Sequence, residues 1–168
     1  MNDRVHAALD RIYREIPGGF CKGLCQEACG PCSMTKAEMD RCVAHAEPVR
    51  NPSDELQCPF LNPENGRCRV YAVRPIVCRI YGASKAIPCP HGCRPSKMLS
   101  PRQARKLMAR VRALGGPEVS THDELHVLIK DAFREATEAG LTSGQARELI
   151  RRTLDGGTDY TPKGGTTK

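Results

Sequence analysis

A small α+β domain, mainly helical, with irregular cysteine-rich loops and one short β-hairpin, is the fold class this sequence predicts. Three observations predict it. Apolar residues recur at helical spacing in several segments, one Asn-Gly pair marks a tight turn, and ten cysteines fall at or before position 93. The apolar content is thin for the length. Only 39% of the 168 residues are hydrophobic, with three Phe, four Tyr and no Trp. Burial stabilises by roughly 25 cal/mol per Å², so bonds other than core contacts must help hold such a chain.

The elements follow in order. Residues 2–16 predict an amphipathic helix with Val5, Leu9, Ile12 and Ile16 on one face, stopped by Pro17-Gly18-Gly19. A cysteine-dense loop runs from Phe20 to Ser33. Thr35-Lys36-Ala37-Glu38 reads as a capping box that opens a helix to about Ala46. From Cys58 to Gly82 the expectation is loop and short strand, with Asn65-Gly66 as a tight turn and Arg67 to Tyr71 alternating like a strand. Arg74-Pro75 breaks any preceding helix, and residues 83–99 are loop. Ser100-Pro101 then caps a helix that ends at Gly115-Gly116. Two more helices are expected, from about Thr121 to Ala139 and from Ser143 to Leu154. The organisation expected is a cysteine-bearing domain with its N-terminal helix over 1–99, a helical extension packed on it over 100–154, and a disordered tail over 155–168.

What the cysteines do depends on the compartment. Residues 1–15 lack the continuous apolar stretch of a secretory signal, and no window approaches a membrane span of about 20 residues. The expectation is a cytoplasmic chain, where thiols stay reduced and dense cysteine patterns more often bind metal than form disulfides. The formal charge is +7, which taken alone suggests an anionic partner. Metal-bound cysteines are thiolates, however, and two tetrathiolate centres would bring that charge to about +3.

The cysteines are Cys21, Cys25, Cys29, Cys32, Cys42, Cys58, Cys68, Cys78, Cys89 and Cys93. Cys42 falls on a helix in line with Met39, Val43 and Ala46 and reads as core. The other nine lie in loops or at strand ends, where short bendable segments can bring thiolates to one point. Cys25-x3-Cys29-x2-Cys32 also has the spacing of radical S-adenosylmethionine enzymes, but no repeated βα units follow it. The later run is sharper: Cys58-Pro-Phe-Leu, Asn65-Gly66-Arg67-Cys68, and Arg74-Pro75-x2-Cys78-Arg79. This run, after an upstream cysteine cluster, resembles the YkgJ-like cysteine-cluster family, a zinc- or iron-chelating domain. The resemblance covers roughly residues 20–95.

The resemblance implies eight metal ligands: Cys21, Cys25, Cys29, Cys58, Cys68, Cys78, Cys89 and Cys93. They would make two four-thiolate sites, or one such site with spare redox-active thiols. The family's upstream motif resembles Cys-x2-Cys-x2/3-Cys-Cys; here the spacing is wider and no cysteines are adjacent, which leaves the choice between Cys29 and Cys32 open. The family's Cys-x3-Cys-x3-Cys-Gly-Pro form matches Cys21, Cys25 and Cys29, with Cys32 as an extra. Arg74 and Arg79, flanking Cys78, read as cofactor-binding groups that donate to sulfurs or to a bound anion. His91 reads as a neighbour of the ligands rather than one of them.

The cofactor expected is a 4Fe-4S iron–sulfur cluster or Zn2+, in one or two centres. Thiolates suit both metals, and the long irregular spacings lean towards iron–sulfur. The function expected is metal binding in redox, electron transfer or metal handling, with an unknown protein or redox partner. A structural zinc module is the alternative. Its nucleic-acid contact would be the basic helix over 100–114, with Arg102, Arg105, Lys106, Arg110 and Arg112. An enzymatic role, as a radical enzyme or beside a methyltransferase, finds no cofactor-binding glycine loop or catalytic triad in the sequence.

Overall fold

Each helix in the computed structural model begins where local chemistry supplies a cap or a fixed backbone angle. The model describes residues 3–49, 51, 56–121, 136, 138–142, 145, 146 and 148. Helix α1 spans Asp3–Tyr13, α2 Lys36–His45, α3 Ile76–Ile80 and α4 Pro101–Gly115; strands β1 and β2 are Ser33–Thr35 and Glu118–Ser120. Thr35 caps α2 and Ser100 caps α4, each in a reciprocal capping box, with Glu38 and Gln103 as the returning side chains. The result is a small, cysteine-rich α+β domain, as the sequence predicts.

Met1–His126 forms one compact unit, and α4 lies within it. Its larger core joins α1, α3 and α4, with Leu9, Ile12, Ile80 and Val111 at its centre. The Glu15 carboxylate accepts from Arg110 at 2.8 Å on the rim of that packing. A second, smaller core holds Met34, Cys42, Phe60 and Val70, with Cys32, Cys58 and Cys68 packed against it. Thiols thus share the lining of the second core with Met39, Ala46, Val73 and Val119. Cys42 is fully buried there, as its helical position predicts.

The sheet differs in place from the expected hairpin. β1 pairs antiparallel with β2, Met34 opposite Val119, and the two strands come from opposite sides of α2 and α4 in the chain. The Asn65-Gly66 turn does form: Gly66 takes φ +65° and its N–H donates to the Asn62 carbonyl at 2.8 Å. It carries only a single bridge, Leu61 to Cys68. Beyond Cys68 the chain does not continue as a strand; it coils into a 3-10 turn over Tyr71–Val73. The Arg69 N–H to Phe60 carbonyl bond closes that one bridge, and the Val73 N–H then bonds back to the Val70 carbonyl. The sequence also misses α3. Pro75 stops what precedes it and fixes the entry to the helix that follows.

Residues 127–168 form a second unit. Among its described residues, Thr142 and Gln145 make a capping box, and Ala136 and Ala146 are buried. The helices expected over 121–139 and 143–154, and the tail over 155–168, lie mostly or wholly outside the described residues.

Candidate metal centre

A buried carboxylate sets the frame. Glu38 is 1% exposed. Its Oε1 accepts from the Tyr13 hydroxyl at 2.7 Å and from the Ile76 backbone N–H at 2.7 Å. Its Oε2 accepts from the Thr35 N–H at 2.9 Å. One side chain therefore joins α1, α2 and the start of α3, and so fixes where Cys78 lies. Burial, with the Glu38 carboxylate beside it, pushes the Tyr13 hydroxyl well above the usual tyrosine range. The Arg79 guanidinium lies over the Tyr13 ring, 4.2 Å from its centre. Its Nε donates to the Arg74 carbonyl and its Nη2 to the Ala72 carbonyl, both at 2.7 Å. Arg79 thereby clamps the 72–74 turn, and its charge still reaches Cys78.

Around this frame stands an inner group of thiols. The Cys58 N–H donates to the Cys29 carbonyl at 3.0 Å, which draws the upstream cluster onto the Cys58–Cys68 turn. Gly66 reinforces that approach, since a Cβ there would sit 2.0 Å from the Gln26 side chain. Cys29, Cys58, Cys68 and Cys78 feel one another electrostatically. Burial, then the neighbouring Cys58 and Cys78, pushes Cys29 up to about 12, and burial pushes Cys58 up to about 12. The backbone N–H of Phe60 serves the Cys58 sulfur and that of Val70 serves Cys68.

Cys32 belongs to the same neighbourhood, a placement the sequence did not supply. Its backbone is tied to Thr121 by two hydrogen bonds of 3.2 Å that extend the β1–β2 pairing. Its side chain is hydrogen-bonded to Cys78. That bond, then the charges of Arg74 and Arg79, holds Cys78 below the ordinary thiol range; the same bond, with burial, holds Cys32 above it.

Cys25 acts on Cys29; burial first, then the neighbouring Cys89, Cys21 and Glu27, pushes Cys25 itself up to about 11. His91, between Cys89 and Cys93, pairs through Nε2 with Glu27 at 3.1 Å. Arg74 stacks on the Tyr71 ring at 4.0 Å, Tyr71 is hydrogen-bonded to Cys21, and the Arg74 charge acts on Cys68 and Cys78. Among the described residues its Nε is buried without a hydrogen-bond partner.

These features fit a thiophilic ion. Nine half-buried thiols come from loops and from α3, backbone N–H groups already serve several of the sulfurs, and among the described residues a buried arginine N–H lacks an acceptor that a metal-bound thiolate would provide. Among the described residues, which include all ten cysteines, no three Cys, His, Asp or Glu side chains stand close enough together to hold a metal ion. Residues 20–94 match the family model CxxCxxCC, described as a "Putative zinc- or iron-chelating domain".

The matched segment holds all of the cysteines, and over it the chain is similar to that domain. The resemblance read from the Arg74-Pro75-x2-Cys78-Arg79 run is borne out, and with it a zinc- or iron-chelating character. No curated protein and no solved structure matches the chain. No helix among the described residues is long and apolar enough to cross a membrane.

Proposed function

We propose that the CxxCxxCC domain holds a closed thiolate centre on Cys29, Cys58, Cys68 and Cys78, and that this centre serves electron transfer or metal handling. Four protein thiolates fill a tetrahedral site and leave no open position for substrate, unlike a catalytic zinc with three protein ligands. Such a site supports the fold, stores or passes on its metal, or exchanges electrons.

The observation that carries the redox reading is the buried, unpartnered Arg74 Nε beside Cys68 and Cys78. Hydrogen bonds to sulfur tune the potential of an iron centre, whereas zinc has no potential to tune. The Cys32 thiol, bonded to Cys78, acts in the same sense as a donor and not as a ligand. An iron–sulfur centre supplies one-electron chemistry when bound; the chain's own residues hold it, neutralise its charge and keep water from its inner face.

Anaerobic purification of the full chain, followed by iron, sulfide and zinc analysis and visible spectra, tests this. A brown protein that bleaches on Cys58→Ser or Cys78→Ser is expected. A colourless chain with stoichiometric zinc overturns the redox reading in favour of a structural module. A folded chain that takes up neither metal overturns the centre itself.

A further inference from the structure

A cleft among the described residues is lined without any cysteine. It holds about 300 Å³, and Asp10, Tyr13, Arg14, Ala72 and Arg79 form its walls. The charges in those walls do not balance one another. Asp10 is already paired, since its Oδ1 takes the Arg41 Nη2 at 2.7 Å. Arg79 gives its Nε and Nη2 to the Arg74 and Ala72 carbonyls, which are neutral. Among the described residues, neither Arg79 nor Arg14 forms an ion pair with a carboxylate. Two guanidinium charges thus line one small cleft without a counter-charge of their own.

The surroundings hold those charges in place. The Tyr13 hydroxyl donates to Glu38 at 2.7 Å, which fixes its ring. The Arg79 guanidinium lies 4.2 Å from the centre of that ring and the Arg41 guanidinium 5.8 Å from it. With its two carbonyl bonds as well, Arg79 has little side-chain freedom left to lose when an anion arrives. Arg41 brings a third positive charge to the Asp10 side, and among the described residues its Nη1 is buried without a hydrogen-bond partner. The C-terminal end of α1 opposes an anion through its dipole, equivalent to about half a charge. The Asp10, Ile12 and Tyr13 carbonyls at that end already accept from the Arg14, Glu15 and Ile16 N–H groups. Two full guanidinium charges outweigh what is left.

We infer that this cleft binds a small dianionic oxyanion, inorganic phosphate or the phosphate group of a small monoester, between Arg14 and Arg79. A phosphate group carries about −1.5 to −2 charge at pH 7, which matches two unpaired guanidinium groups. A carboxylate brings half of that. Planar guanidinium forks can also bond two phosphate oxygens at once. A volume of about 300 Å³ stands at the small end of ligand sites, so it suits a phosphate with few further atoms. The inference goes beyond the metal centre proposed above and does not depend on it, because no thiol lines the cleft.

Isothermal titration of the full chain as purified with inorganic phosphate, at constant ionic strength and where phosphate is dianionic, tests this. Saturable binding at one site per chain is expected, with a higher unfolding midpoint in phosphate than in chloride. Arg14→Gln is expected to weaken binding roughly tenfold, through the loss of one charged hydrogen bond. Arg102→Gln removes the same charge from an exposed position on α4 outside the cleft and is expected to leave binding unchanged. Arg14 is exposed too, and unfolding curves in chloride show that both variants are folded. Equal weakening by the two variants overturns the site, because net charge alone then explains the binding. An unmutated chain that binds no phosphate overturns it as well. A single-stranded oligonucleotide that binds where free phosphate does not, and that Arg14→Gln weakens, replaces the small ligand with a nucleic-acid backbone.

Discussion

At the scale of single residues, Glu38 shows how one side chain can mean two things. In the sequence it completes a capping box with Thr35; in the fold it also accepts from Tyr13 and Ile76. Leaving two buried donors unpaired costs about 1–3 kcal/mol each. Glu38→Ala is therefore expected to lower stability by roughly 3 kcal/mol or more, measured by denaturant unfolding. Glu38→Gln should not rescue it, because an amide NH2 would face either Thr35 N–H or the Tyr13 and Ile76 donors. Gly82 gives a second prediction at this scale. It has φ +74° and a side chain there would press on Phe20 and Cys89. Gly82→Val should lower stability by about 1–3 kcal/mol through the strained backbone and the crowding of Phe20 and Cys89, measured by denaturant unfolding. Legibility at this scale follows chemistry: a thiol's metal affinity is visible in its name, but the partner it meets is not. Nothing local to Cys32 says that it will bond Cys78, because that contact depends on a strand pairing 85 positions apart, Met34 with Val119.

At the scale of elements, helices announced themselves and pairings did not. The caps at Thr35 and Ser100 are local, so the sequence places both helix starts to the residue. Ser100→Ala is expected to cost about 1 kcal/mol by loss of the α4 cap, seen as a lower unfolding midpoint with no change in metal content. The α1–α4 packing rests on residues such as Leu9, fully buried at 0% exposure. Leu9→Ala should cost about 2–5 kcal/mol, again measured by equilibrium unfolding. By contrast, Arg67 to Tyr71 alternates like a strand yet bridges only at Cys68. Alternation states which face could be buried; it does not supply the neighbour that a strand must bond. Helix α3 escaped notice because five residues are too few to display a period.

For the whole molecule, the division of labour between core and metal decides stability. The second core is small, Met34, Cys42, Phe60 and Val70, and Cys32, Cys58 and Cys68 are among the residues packed against it, so removing the metal should loosen that part first. Chelator treatment is expected to lower the midpoint of thermal unfolding and to raise amide exchange around Cys29 and Cys58 before α1 and α4. The metal-free chain has a pH signature as well. Burial raises Cys29, Cys42 and Cys58 from the ordinary 9.0 to about 12. A raised folded-state value means that their contribution is fully present below pH 9.0 and is lost as pH climbs towards about 12. Metal-free protein should thus lose thermal stability above pH 9.0, and thiolates already neutralised by metal should blunt that loss; melting curves of both forms across this window check it.

The sequence by itself determined the helical caps, the thin apolar core, the run of cysteines that marks a zinc- or iron-chelating domain and the α+β class. Each of these is written within a few neighbouring residues or in composition. Only the tertiary structure decided which distant groups meet: Tyr13 and the Ile76 N–H on Glu38, the Cys58 N–H on the Cys29 carbonyl, and the Cys32 N–H on Thr121. The reason is that each meeting depends on the distances between segments far apart in the sequence. Strand pairing, the Glu38 hydrogen bonds and the close approach at Gly82 set those distances, and spacing along the chain does not encode them.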